Sequence, residues 1–256
     1  MEPLEAARID VPGAEVRVIE RCISTNSVLL AQAGGGCVLL AAEAQTAGRG
    51  QRGRRWHSMP GRDVTFSLAR HLARPAHELA TLSLVAGVAA AGALRALGVA
   101  ATALKWPNDL VVAGAKLGGI LVETRAERDG TRAVVGVGVN CVHRPQLARR
   151  VRRPVAALDQ FIRPSRNLVI GALARSLLAA LERFEAQGFA AVRAEWEALD
   201  AHAGQRLRVR LADGRSISGI GGGVAEDGAL RLLTRGGEKS VRSGRIVSAV
   251  GSGRAA

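Results

Sequence analysis

The pattern of apolar residues changes character near residue 203, and this change constrains the fold more than any other feature. Upstream, two long stretches have helical spacing: an Ala/Leu run that opens at Pro75, and residues 167–187, where apolar positions form one stripe. Downstream, short alternating runs are separated by Asp-Gly and Gly-Gly pairs, which are typical of β-hairpins. The sequence therefore predicts an α+β domain over residues 1–202 and a small all-β domain over 203–256.

Shorter apolar runs in the first domain predict strands, and they flank segments without hydrophobic periodicity. A first helix is expected after Ser24 or Thr25, either of which can cap it, and Gly34 to Gly36 are expected to end it. The predicted strands cover residues 37–44, 64–69, 103–112 with an interruption at Pro107-Asn108, 116–124 and 133–139. A polar lead precedes residue 21, and a Pro/Arg-rich connection covers 144–166.

The composition favours a folded protein outside the membrane. The chain has 256 residues, of which 48% are hydrophobic and 23% charged, so it can bury a substantial core. Its longest uncharged apolar run, Leu79 to Leu94, is diluted with Ala, Gly, Thr and Ser and is short for a membrane span. The N-terminus shows no apolar segment typical of a signal peptide. We therefore expect a cytoplasmic protein with no membrane partner.

Cysteine and histidine support neither a disulfide framework nor a metal site. Cys22, Cys37 and Cys141 are odd in number and far apart, so we expect buried thiols. The five histidines form no pattern typical of metal ligands. No metal ion held by protein side chains is therefore expected.

The formal net charge of +14 rests almost entirely on arginine, because Lys105, Lys116 and Lys239 are the only lysines among 36 basic residues. A compact ammonium serves some sites better than a planar guanidinium, so these lysines are candidates for a specific role. Such a charge is also typical of nucleic-acid-binding modules. Against that alternative stand the 3% aromatic content and arginines that are spread along the chain.

Residues 47–55, with the sequence AGRGQRGRR, have no hydrophobic period and predict a loop. Glycines allow close approach of the backbone, and guanidinium groups attract phosphate, so the loop suits a phosphorylated ligand. It lacks the Gly-Lys-Ser/Thr ending of a P-loop. A mobile basic surface loop is the alternative for this segment alone.

The segments K-W-P-N-D at 105–109 and K-L-G-G at 116–119 predict a hairpin that brings two ammonium groups to one site. Asp109 and Asn108 would lie beside them, and paired cations next to a carboxylate can bind a polyanion with its Mg²⁺. The alternative is a solvated hairpin tip.

Two further motifs are weaker when taken alone. The strand G-V-G-V-N at 136–140 exposes bare backbone that a flat ligand can approach, although a bulge or tight packing also explains it. The S-T-N segment at 24–26 is explained by helix capping as readily as by binding. The run R-R-V-R-R at 149–153 fits either a solvated loop or an acidic partner.

The order and spacing of these motifs resemble the biotin protein ligase family from residue 21 to 140, and W-x-x-L-D at 196–200 with the β tail extends the resemblance. The resemblance implies a catalytic domain with a mixed sheet and helices, similar to that of class II aminoacyl-tRNA synthetases, followed by an SH3-like barrel. It implies that biotin and MgATP give biotinyl-5′-AMP and pyrophosphate. The biotinyl group then passes to a lysine of a biotin carboxyl carrier protein or domain, as in acetyl-CoA carboxylase.

By position in the motifs, the resemblance assigns three overlapping sets of residues. The biotin-binding set is Ser24, Thr25, Asn26, Gln45, Arg49, Gly50, Gln51, Lys116, Gly118, Gly136 and Gly138. The set for ATP and the adenylate is Arg49, Gln51, Arg54, Trp56, Lys105, Asn108 and Asn140. The catalytic set is Lys116, Lys105, Arg49 and Asp109, with Asp109 expected to orient or deprotonate the acceptor lysine.

The chain departs from the family pattern at Gln51, where many members have arginine. A neutral amide brings no positive charge, so we expect leakage of the adenylate, although Arg52 next door can compensate.

About 20 residues precede the S-T-N segment, too few for a helix-turn-helix repressor domain, so a monofunctional enzyme is expected, as a monomer or homodimer without nucleic acid. A lipoate or octanoate ligase is the rival enzyme, disfavoured because the R-R-x-S-G-G-G motif expected of lipoate enzymes is missing.

Overall fold

The computed structural model describes residues 2–32, 34 and 36–250, which form two β-sheets and five α-helices. The larger sheet consists of β1 (Glu15–Cys22), β2 (Val38–Gln45), β3 (Val64–Leu72), β4 (Thr102–Lys105), β5 (Asp109–Val112), β6 (Ala115–Glu127) and β7 (Gly130–Val139). Their spatial order is β1-β2-β3-β7-β6-β5-β4. β1 and β2 are parallel and the other neighbours antiparallel, which confirms the predicted mixed sheet.

Helices lie on both faces of this sheet. They are α1 (Thr25–Ala31), α2 (Leu82–Ala96), α3 (Pro145–Val151), α4 (Arg166–Gln187) and α5 (Ala190–Ala198). α2 and α4 pack against each other and form the main core with residues such as Leu68 and Val135. Because successive strand residues point to opposite faces, Ala69 and Val134 pack on the other side, under α1. α1 has only seven residues, so much of the sheet face on which it packs stays uncovered.

The most apolar helical segment, Ala76–Ala96, has a mean hydropathy of 1.6 and is long enough to span a membrane. In this fold 67% of its most apolar window is buried inside the protein, so it is packed as a core helix. Its first six residues form a 3₁₀ turn rather than the start of the α-helix that we predicted from Pro75.

The second sheet is antiparallel throughout and is formed by the C-terminal part of the chain. Its strands are β8 (Arg206–Leu211), β9 (Ser216–Val224), β10 (Leu230–Thr234), β11 (Gly237–Val241) and β12 (Gly244–Val250), in the order β11-β10-β9-β8-β12. Trp106, between β4 and β5, donates its indole N–H to the carbonyl of Gly228, between β9 and β10, at 3.0 Å. The K-W-P-N-D segment is therefore in contact with a connection of the second sheet.

Several local predictions differ from the structure. The polar lead contains β1, whose half-polar sequence EVRVIERC lacks the long apolar run of a central strand. The connection over 144–166 contains α3. The predicted interruption at Pro107-Asn108 is confirmed, because β4 ends at Lys105 and β5 begins at Asp109. Ser24 precedes α1 but forms no capping hydrogen bond with its side chain. Two predicted segments are only partly described. Gly35, within the predicted helix stop at Gly34 to Gly36, lies outside the described residues, and so do residues 251–256 of the predicted second domain.

The prediction of three buried thiols is wrong for two of them. Cys22 and Cys37 are only half-buried, because β1 is an edge strand and Cys37 directly precedes β2. Cys141 is buried, and burial raises the pKa of its thiol to about 12.

Candidate active site

The uncovered face of the larger sheet is the floor of a cleft. Three neighbouring strands contribute one residue each to a row that crosses the sheet. Ser67 on β3 lies opposite Gly136 on β7, which lies opposite Leu121 on β6. In the next row on the same face of the sheet, Gly138 on β7 lies opposite Gly119 on β6. A side chain at Gly136 would overlap the Asn26 amide, and one at Gly138 would lie 2.5 Å from the Trp56 ring. Glycine is therefore required at both positions for Asn26 and Trp56 to lie on the sheet.

Hydroxyl and amide groups at the start of α1 form a buried network at one end of the cleft. The Thr25 backbone N–H donates to Gln45 Oε1 at 2.8 Å. The Ser67 hydroxyl lies 2.6 Å from both Thr25 Oγ1 and Asn26 Oδ1. The Asn26 amide group donates to the Leu121 carbonyl at 3.1 Å and to Glu123 Oε2 at 3.0 Å. These bonds fix the orientation of each polar group before any ligand arrives.

The buried indole N–H of Trp56, which lines the cleft, has no hydrogen-bond partner among the described residues. A buried donor without a partner costs free energy, so this group is suited to an oxygen atom of a ligand. The amide nitrogen of Gln45 also lines the cleft and forms no hydrogen bond among the described residues, while the carbonyl of that side chain is bonded to Thr25.

The glycine- and arginine-rich loop folds back on itself across the cleft. Gly50 N–H donates to the Arg54 carbonyl at 2.7 Å, and Trp56 N–H donates to the Gly48 carbonyl at 2.9 Å. Between them Arg52 and Gly53 have φ values of 59° and 69°, which close the turn. Arg49, Gly50, Gln51, Arg54 and Trp56 all line the cleft.

The two lysines converge as the hairpin motif predicts. Lys105 lies opposite Asp109 across β4 and β5, and the Lys116 ammonium pairs with Asp109 Oδ1. Arg153 Nη1 lies 3.6 Å from the other oxygen of this carboxylate. Burial lowers the pKa of Lys116 and of Lys105, and the charge of Asp109 offsets part of that effect in both. Lys116 also lies 5.8 Å from the centroid of the Trp56 ring, within cation–π range.

Positive charge dominates the cleft. Of the described residues that line it, eight are basic and Asp109 is the one acidic residue; the basic residues are Arg49, Arg54, Arg55, Lys105, Lys116, Arg152, Arg153 and Arg245. Burial, together with the neighbouring positive charge of Arg245, lowers the pKa of Arg54. Cations held this close repel one another unless an anion lies between them. The cleft is therefore complementary to a ligand with several negative charges.

Known proteins with similar sequences and structures decide the family. The model of the biotin/lipoate A/B protein ligase family matches residues 20–140. The bifunctional ligase/repressor BirA of Escherichia coli is 37% identical over 245 residues, which are 90% of this chain and 75% of that protein. The biotin--[acetyl-CoA-carboxylase] ligase of Mycobacterium tuberculosis is 33% identical over 241 residues, which are 91% of this chain and 88% of that protein. The chain belongs to the biotin protein ligase family.

A solved structure of the family agrees over almost the whole chain. The biotin protein ligase of Aquifex aeolicus, in complex with biotin and ATP, matches with a TM-score of 0.78 and 26% identity, over 93% of this chain and 99% of that one. Because 93% of this chain is covered, the match extends into the second sheet.

Two residues that the family motifs assign to ligands do not line the cleft. Gly118 lies on the opposite face of β6, where a side chain would be 3.2 Å from Leu110, and Gly119 lines the cleft instead. Asn140 is buried and donates its amide group to the carbonyls of Lys116 at 3.3 Å and Ala156 at 3.0 Å. Asn140 therefore supports the start of β6 and does not line the cleft.

The structure brings the other assigned residues together around the cleft. They are Ser24, Thr25, Asn26, Gln45, Arg49, Gly50, Gln51, Arg54, Trp56, Lys105, Asn108, Asp109, Lys116, Gly136 and Gly138. Ser67, Glu123, Arg153 and Arg245 were missed by sequence reasoning. Ser67 is one of two polar residues, with Thr65, in the otherwise apolar run VTFSLA. Arg153 lies in the R-R-V-R-R run, but Arg245 carries no local signal.

Among the described residues, no group of three or more His, Cys, Asp or Glu side chains is placed to hold a metal ion.

Proposed function

We propose that this chain is a biotin–protein ligase. It activates biotin with ATP to biotinyl-5′-AMP and pyrophosphate, and it then transfers the biotinyl group to a lysine of the carrier domain of a biotin-dependent carboxylase, such as acetyl-CoA carboxylase. The observation that carries this proposal is one cleft with a neutral network of oriented hydroxyl and amide groups at one end and eight basic residues around the rest. The names of the relatives and the biotin and ATP in the Aquifex complex support it.

The neutral end of the cleft fits the ureido ring and the apolar body of biotin. A ureido group needs both donors and acceptors at fixed positions, and Ser24, Thr25, Asn26 and Gln45 present such groups. The free amide nitrogen of Gln45 can donate to the ureido carbonyl. Gly136 and Gly138 let the Asn26 amide and the Trp56 ring lie against the sheet, and these two side chains line the space for the ring.

The basic end addresses the first chemical step. A carboxylate oxygen of biotin attacks the α-phosphorus of ATP, the bond between the α- and β-phosphates breaks, and pyrophosphate leaves with the electron pair. Both reactants are anions, so Lys116 and Lys105 reduce their repulsion and stabilise the charge that develops in the transition state. Arg54, Arg153 and Arg245 extend this positive field toward the pyrophosphate.

In the second step the amine of the acceptor lysine attacks the biotinyl carbonyl, and AMP leaves. The attacking amine must lose a proton, and Asp109 is the one carboxylate among the described cleft residues. Asp109 is paired with Lys116 and Arg153 before ligands arrive. It is therefore available to the acceptor once the phosphates of the adenylate have taken over those cations.

Mg²⁺ fits this cleft only as a companion of the nucleotide. Mg²⁺ commonly uses one or two carboxylates together with substrate phosphates and water, and Asp109 is the one carboxylate that the cleft offers. When bound, Mg²⁺ would neutralise phosphate charge beside Lys105. We include it as part of the MgATP substrate.

Other assignments complete the proposal. The described residues up to 202 form the catalytic domain, related to the class II aminoacyl-tRNA synthetases, and the described residues 203–250 form an SH3-like barrel. The enzyme acts in the cytoplasm, as a monomer or homodimer, without nucleic acid. The last point is supported by the 3% aromatic content and by arginines that are spread along the chain.

Transfer to a carrier domain tests the proposal. The purified chain, incubated with biotin, MgATP and a biotin carboxyl carrier domain, is expected to add one biotinyl group at a single lysine, detected by intact mass and peptide mapping. A carrier with that lysine replaced by arginine is the control. Modification with lipoate in place of biotin would assign the chain to the lipoate branch of the matched family model, and no modification with either acid would refute ligase function.

A further inference from the structure

Glu123 lies where the loop meets the neutral network, and no family motif assigned it a ligand. It is on the same face of β6 as Gly119 and Leu121, one step beyond the cleft floor. Its side chain is 17% exposed, which is low for a carboxylate.

The two carboxylate oxygens of Glu123 have different partners. Oε2 accepts from the Asn26 amide group at 3.0 Å, and Oε1 lies 2.9 Å from Arg49 Nη2. Arg49 also reaches the Ser27 hydroxyl at 3.3 Å. One carboxylate thus connects a residue of the loop with a residue of the neutral network.

This arrangement changes the interpretation of two assigned residues. Both amide hydrogens of Asn26 are used by protein oxygens, so only its carbonyl can serve a ligand. The guanidinium of Arg49 is held by Glu123 and Ser27 while the backbone of the loop lines the cleft. Arg49 in this state anchors the loop instead of contacting the adenylate.

We propose that Glu123 is a positioning residue that holds the loop across the cleft through Arg49 and orients the Asn26 carbonyl toward biotin. The inference rests on the proposed function and deepens it. Retention of the adenylate between the two steps then depends on a carboxylate outside the cleft lining. The contribution is moderate because the Arg49 side chain is 50% exposed and water screens its charge.

The test compares Glu123→Gln with Glu127→Gln. Glu127 lies on the same strand and pairs with Arg125 and His71, away from the loop, so it is a matched control. The enzyme is first loaded with biotin and MgATP, excess ligand is removed, and release of biotinyl-5′-AMP is followed. Limited digestion with trypsin, which cleaves after the arginines of the loop, reports how firmly the loop is held.

We expect Glu123→Gln to release the adenylate about twofold to fivefold faster, which is the range for losing a partly exposed ion pair. Tryptic cleavage in the loop should accelerate by a similar factor, and KM should rise for biotin but not for ATP. Glu127→Gln should change none of these. A second variant, Ser27→Ala, removes the other contact of Arg49 and should shift release and cleavage in the same direction by a smaller factor.

Unchanged release and cleavage in Glu123→Gln would overturn the inference, and so would slower release, since that would mean that Glu123 competes with the ligand for Arg49. Equal changes in Glu123→Gln and Glu127→Gln would also overturn it, because they would indicate general destabilisation. Failure of the wild-type enzyme to form any adenylate would instead refute the proposed function.

Discussion

Replacing Gly136 by alanine should damage biotin binding and leave ATP binding intact. The new methyl group would overlap Asn26 Oδ1 and lie 3.0 Å from Asn26 Cγ. Asn26 has little freedom to move, because it is bonded to Leu121, Glu123 and Ser67. The amide must therefore break some of these bonds or the strand must shift.

The size of the effect follows from those contacts. Each lost hydrogen bond costs about 0.5–1.5 kcal/mol net, and overpacking costs about 1–3 kcal/mol. We expect the free energy of unfolding to fall by about 2–3 kcal/mol. The Asn26 carbonyl would also be turned away from biotin, so KM for biotin should rise about tenfold to 100-fold, at about 1.4 kcal/mol for each factor of ten.

Biotin-dependent exchange between ATP and pyrophosphate measures both KM values on one sample, and thermal unfolding reports stability. Gly92→Ala is the control, since this exposed position in α2 has no atom within 4 Å of the added methyl group. An alanine there should stabilise the helix slightly. The reasoning is refuted if Gly136→Ala keeps the wild-type KM for biotin, or if KM for ATP rises by the same factor.

Two further perturbations test other parts of the site and its surroundings. Gln51→Arg adds a cation to the loop over the adenylate, so release of biotinyl-5′-AMP after loading should slow several-fold; an unchanged rate would remove the idea that Gln51 makes the intermediate leak. Burial raises the pKa of Asp200 to about 6, so the folded protein is favoured while this carboxyl is protonated, and that advantage is lost as pH rises through 6. Asp200→Asn should therefore increase the free energy of unfolding at pH 7.5 by up to about 3 kcal/mol, at 1.36 kcal/mol per pKa unit, and this gain should disappear below about pH 4. Denaturant titrations at several pH values measure the gain, and a gain that does not change with pH would contradict the prediction.

Motif spacing predicted much of the candidate site because each motif lies where a strand begins or ends on the cleft face. Lys105 and Asp109 flank a tight turn, and Asn26 follows directly from the β1 end, so local sequence brings them to the cleft once the sheet forms. The α+β division and the β-rich tail were visible in the change of apolar period for the same local reason.

Contacts between distant segments were beyond sequence reasoning. The K-L-G-G motif offers two adjacent glycines, and only the pairing of Gly119 with Gly138 shows that Gly119, and not Gly118, faces the cleft. Arg245 reaches the cleft from β12, a strand of the other sheet, through packing that no local pattern encodes. β1 was missed because an edge strand tolerates polar residues and so lacks a clear apolar period.

Biotin-dependent ATP–pyrophosphate exchange tests the central claim most directly, with lipoate as the parallel substrate and Lys116→Ala as the variant. The account predicts exchange with biotin, none with lipoate, and a loss of at least about 100-fold in Lys116→Ala, because the buried ammonium that stabilises the transition state is gone. Exchange with lipoate alone, or exchange with biotin that survives in Lys116→Ala at the wild-type rate, would contradict the account of this cleft.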